Sequence, residues 1–157
     1  MKAATITTIK KELQHLSKEE LLQLCLRLGR FKKENKELLT YLLFLAHDEE
    51  GYIQSIKDTL DEQFHMMNTD SYFYMKKTIR KILRQIRTFS RYSNTKTTEV
   101  DLLLYFCERL NTLKPSIHYN KTLENLYQRQ LIAIQKKIAN FHEDLQYDYH
   151  IALDNLR

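Results

Sequence analysis

The chain reads as all-α, and three observations say so. It holds only two Gly and one Pro in 157 residues, far fewer than the turns of β or α/β folds require. Leu, Lys, Gln and Glu, all good helix formers, are plentiful. Apolar residues recur every three or four positions from Ile6 to Leu156. The pattern predicts seven or eight helices, in a short α-solenoid-like array or an irregular helical bundle. Helix pairs recur at roughly 30 to 45 residues, the scale of α-solenoid repeats. The length fits one domain spanning 1–157, with any hinge at 93–98.

Ile6, Ile9, Leu13 and Leu16 have the spacing of a short amphipathic helix. Ser17-Lys18-Glu19-Glu20 is a capping box: the serine hydroxyl accepts from the Glu20 amide, and the glutamate reaches back. It opens a second helix through Leu21, Leu22, Leu24, Cys25 and Leu28, with Gly29 expected at its C-terminal cap. A third helix is predicted from about Lys32 to Ala46. Its second half is nearly all apolar and is expected to be buried on most sides. A fourth, Glu50 to Met67, sets Ile53, Ile56, Leu60 and Phe64 against Asp58, Asp61 and Glu62, with Asp48 to Glu50 suiting its positive end.

After a turn at Asn68–Ser71 comes the most unusual stretch, Ser71 to Ser93. On a helix, Tyr72, Met75, Ile79, Ile82, Leu83, Ile86 and Phe89 share one side, and Lys76, Lys77, Arg80, Lys81, Arg84, Arg87 and Arg91 share another. Ser93 to Thr98 is a polar connection. Thr97 or Thr98 caps a sixth helix through Leu110, ended by Pro115. From Leu123 to Leu156 an apolar stripe steps by threes and fours. It is one long helix, or two split near Asn140, where Asn140-Phe141-His142-Glu143 has capping-box spacing. An unbroken helix would invite pairing, so a homodimer is a candidate through 123–156.

The charge is unevenly spread. Residues 1–47 carry +4, residues 48–70 carry −6, residues 71–92 carry +7 and residues 93–157 carry none, for a net +5. The bland reading of the basic helix is a solvated face, partly neutralised by the acidic fourth helix. The sharper reading is a site for an anion, nucleic acid or an acidic protein surface. Aromatics at Phe73, Tyr74 and Tyr92 lie in or beside the basic arc, where they could stack bases.

Catalytic and cofactor signatures are missing. Two glycines permit no Gly-rich phosphate loop and no nucleophile elbow. The six histidines lack paired metal-ligand spacing, so no metal or cofactor is expected. Cys25 and Cys107 sit in apolar stretches and read as reduced core residues. The segment Met1 to Leu13 has no apolar core of the signal-peptide kind. The longest apolar run, Leu38 to Ala46, falls short of the ~20 residues that span a bilayer. A cytoplasmic protein away from the membrane is therefore expected.

Lys10, Leu13, Leu16-Ser17-Lys18-Glu19 and Leu21-Leu22 resemble the opening of some uncharacterised bacterial all-helical domains, which also place a short helix before a capped Leu-rich one. The resemblance implies a bacterial helical domain and no assigned activity. The expected function is a non-enzymatic protein-interaction or scaffold domain with a protein partner. The alternative is nucleic-acid binding through the basic face of 71–93.

Overall fold

The structure is a computed structural model describing residues 1–157, and every regular element in it is helical. The helices are α1 (Ile6–Leu13), α2 (Lys18–Phe31), α3 (Lys33–Thr40), α4 (Glu49–His65), α5 (Tyr72–Ser90), α6 (Thr98–Asn111), α7 (Lys121–Ile138) and α8 (Glu143–Asp154). A π turn, Tyr41–Leu45, follows α3, and a single 3-10 turn, Ile117–Tyr119, precedes α7. The chain forms two compact units, Met1–Phe44 and Leu45–Arg157. The 93–98 connection lies within the second, with Ser93 and Thr98 buried.

The second unit is built around α6. Val100, Leu102, Leu103, Leu104, Phe106, Cys107 and Leu110 are all buried, and at 100° per residue they cover about 200° of the helix, with Asp101, Tyr105 and Glu108 on the remaining side. So wide an apolar arc needs several neighbours. It packs on α4, α5 and α7, and Tyr149 of α8 donates to Asp101 at 2.7 Å. The result is a bundle with a central helix, whereas a solenoid stacks each repeat only on its neighbours.

Bonds between helices fix their directions. Tyr52 at the start of α4 donates to the Phe89 carbonyl at the end of α5. Tyr72 at the start of α5 donates to the Ser116 carbonyl beyond α6. Lys137 at the end of α7 meets Glu99 at the start of α6 at 2.6 Å. Tyr127 donates to the Leu156 carbonyl just past α8. Helices α4, α6 and α8 therefore run one way, and α5 and α7 run the other.

The stripe from 123 to 156 is broken, as its capping-box spacing indicated, but the cap is His142, not Asn140. Its Nδ1 accepts from the Asp144 amide. Leu123, Tyr127, Leu131, Ile134 and Ile138 are buried in the core of this unit, so that part of the stripe is covered within the chain itself.

In the first unit, Ser17 and Glu20 form the expected capping box. Gly29 does not end α2, which runs on to Phe31. A Cβ there would lie 3.0 Å from Leu39 Cδ1, so the glycine serves the close approach of α2 to α3. Asn35 Nδ2 donates to the Leu28 carbonyl at 2.8 Å and holds the bend between them. The apolar end of the third helix is not buried as expected. After Thr40 the backbone enters the π turn, and Leu42, Leu43 and Phe44 are exposed. Cys25 is exposed too, whereas Cys107 is buried and its thiol is pushed up to about 12 by that burial. The reason is size. A unit of 44 residues has too little surface of its own to enclose a core.

Tyr127 joins three segments: it donates to Leu156 and accepts from Asn111 Nδ2 at 2.7 Å. Tyr127→Phe leaves the Leu156 carbonyl without that donor and should cost about 1–3 kcal/mol, read as a lowered midpoint in urea with an unchanged denaturant slope.

Candidate functional site: a cationic face on α5 and α7

Helix α5 buries Met75, Ile79, Ile82, Leu83 and Ile86 against the bundle. That choice turns its basic side outward. Lys77, Arg80, Lys81, Arg84, Arg87 and Arg91 are exposed, and Lys76 is half-buried. None of the seven forms an ion pair with a carboxylate. The neutralisation expected from the acidic fourth helix does not take the form of salt bridges. Asp48 caps α4 through the Gly51 amide. Glu49 accepts from Thr98, and Asp58 accepts from Gln54. Asp61 accepts from the Tyr105 hydroxyl at 2.6 Å and forms an ion pair with Arg109, whose Nε lies 3.0 Å away. Asp48 thus caps α4, Asp58 is bonded within it, and Glu49 and Asp61 tie it to α6.

Structure adds two cations that reading α5 alone could not supply. A groove of about 420 Å³ runs between α5 and α7, and Arg129 and Lys136 of α7 line it opposite Arg80 and Arg87. Its floor includes Leu83, Leu126 and Ala133. No carboxylate lines it. The seven-residue spacing of Arg129 and Lys136 puts both on the same side of α7, a signal readable only once α7 is known to lie beside α5. The one acid of α7, Glu124, is engaged by His118 and Gln128.

Phe73 and Tyr74 stand exposed at the start of α5, edge to face with ring centres 5.4 Å apart. Tyr92, also in the aromatic set read from the sequence, is buried instead.

A second polar cleft, about 260 Å³, lies over α6 and α8 and is lined by Lys57, Asp101, Tyr105 and Tyr149. Its groups are mutually engaged. Tyr149 donates to Asp101, Tyr105 donates to Asp61, and Lys57 lies 5.1 Å from the Tyr105 ring centre. Burial and the bond to Asp61 push the Tyr105 phenol up to about 12. The histidines pair only locally, His118 with Glu124 and His142 with Asp144, and no three His, Cys, Asp or Glu side chains converge. No helix is long and apolar enough to cross a membrane.

Comparison with protein-family models, curated proteins and solved structures finds no match.

Burial raises the Asp101 carboxyl above its usual range, and the Tyr149 hydroxyl opposes that rise. A carboxyl raised on folding adds stability at low pH and loses it as pH climbs through the raised value. Tyr149→Phe removes the opposing bond. Asp101 should then titrate at still higher pH in carboxyl-resolved NMR, and the stability lost in this variant should grow from pH 4 to pH 7.

Proposed function

We propose that the chain is a helical protein-interaction module and that its N-terminal hairpin, α2 with α3, is the contact surface. One observation carries this reading: α1, α2 and α3 bury no residue. Large apolar side chains of α2 and of the π turn after α3 face water instead. Phe31 is 76% exposed, Leu43 68% and Phe44 64%, with Leu22, Leu26 and Leu28 also open. Exposed apolar side chains gathered around a groove, as Leu26, Leu43 and Phe44 are, mark an interaction site.

The shape supports the same reading. A groove of about 640 Å³ on the hairpin is floored by Leu26, Leu39, Leu43 and Phe44. Arg30, Lys32, Lys33 and Lys36 stand among its walls. An apolar floor with a cationic rim suits an amphipathic helix that carries apolar residues on one side and acids beside them. Gly29 contributes by letting α2 and α3 approach closely, which sets the width of the groove.

The test places the photo-crosslinker p-benzoylphenylalanine at Leu43, and separately at exposed Gln128 of the second unit, in cells making the full chain. A discrete protein adduct is expected from position 43 and not from 128. The variant Leu26→Ser, Leu43→Ser, Phe44→Ser should lose the interaction while its thermal midpoint falls by less than about 4 °C, the shift expected for ~1 kcal/mol in a chain this size. No adduct from position 43, or a midpoint that falls as for a core substitution, would overturn the reading.

A further inference from the structure

We propose that the groove between α5 and α7 is a binding site for single-stranded nucleic acid, with phosphates on its two cationic rims and bases on the exposed aromatic rings at the start of α5. The inference concerns the second unit and is independent of the interaction surface on the first.

Charge density comes first. Helix α5 has six cations and no acid over 19 residues, with a seventh cation, Arg91, at its C-cap; the helix is about 28 Å long at 1.5 Å per residue. At 100° per residue these cations fill an arc of about 140°. Arg80 and Arg87 lie at the edge of this arc that meets the groove, and Arg129 and Lys136 face them from α7. Arg129 Nε donates to the Asn125 carbonyl at 3.1 Å, which fixes the guanidinium at the rim and leaves its terminal amino groups for a ligand. Five of the nine cations on α5, its cap Arg91 and these two α7 positions are arginine, whose planar fork matches phosphate oxygens.

The ligand class follows from what lies outside the groove. Lys77, Lys81 and Arg84 are exposed beyond its rim on the outer side of α5. An acidic helix seated in the groove would leave them unused. A flexible polyanion with a charge at every repeat can engage the groove and the outer row together. Aromatic faces supply the second element. Phe73, 70% exposed, falls inside the basic arc, and Tyr74 stands against it. Tyr72 ties this end of α5 to Ser116, near the exposed ring of Tyr119. Exposed rings beside phosphate-binding cations let unpaired bases stack without sequence preference. Duplex bases are already stacked and cannot use them.

The test measures fluorescence anisotropy of the full chain with a labelled 20-nucleotide oligo(U), the same length of duplex DNA, and oligoglutamate of equal charge, at about 50 and 200 mM salt. If four phosphates are neutralised, the single-strand slope of about −0.7 per phosphate gives a slope near −2.8 and about a fifty-fold loss of affinity over that range. Arg129→Glu with Lys136→Glu should weaken oligo(U) at least tenfold and halve the slope, with an unchanged circular dichroism spectrum. Arg129→Gln with Lys136→Gln repeats the test should charge reversal disturb folding. Arg129→Lys with Lys136→Arg should keep the slope. Phe73→Ala should weaken oligo(U) and leave the salt slope unchanged. The proposal is overturned by absence of binding at 50 mM salt, by a slope indifferent to the α7 substitutions, or by tighter binding of duplex or oligoglutamate than of oligo(U).

Discussion

The enclosure of α6 is the constraint on which the second unit depends. A helix with so wide an apolar arc cannot be covered by one neighbour, so α4, α5 and α7 each give it an apolar stripe, while its polar side meets α8 through Asp101 and Tyr149. Each stripe given inward sets what that helix shows outward. For α4 the outward side is acidic. For α5 it is the row of lysines and arginines, and for α7 it includes Arg129 and Lys136. The cationic groove is thus a geometric result of burying the centre: two helices of the same direction lean on α6, and their outer sides converge on a channel.

The polar bonds reinforce that arrangement. Asp61, Asp101 and Glu99 are each engaged between helices, by Tyr105 and Arg109, by Tyr149 and by Lys137. These carboxylates tie α6 to α4, α7 and α8, and none forms an ion pair with a cation of α5. A partly buried pair in low dielectric is worth more than a screened surface pair. The acids therefore stabilise the bundle best where they are, and the field over α5 and α7 stays positive. The first unit follows a different economy of surface. With 44 residues it cannot enclose its leucines, and its apolar surface is offered outward.

Much of the fold was legible in the sequence because helix signals are local. The Ser17–Glu20 box, the apolar stripe of α5 and the break before α8 are set by residues within a turn or two of each other. The errors came where a residue answers to a distant partner. Gly29 looks like a cap in sequence, but its role depends on Leu39 of the next helix. Leu42 to Phe44 read as core because they are apolar, yet burial depends on having something to be buried against. The cations of α5 were readable from one helix. Arg129 and Lys136 were not, because a groove belongs to two helices and only packing brings them together.

Native-state hydrogen exchange of the full chain tests the central role of α6 most directly. If α6 is the enclosed centre, amides of residues 102–107 exchange only by global unfolding of the second unit, and their exchange follows denaturant with the full unfolding slope. Amides of α2 and α3, in a unit without a buried core, exchange at much lower free energy and with a small slope. Exchange of α6 through local opening, or protection of α2 and α3 equal to that of α6, would contradict the account.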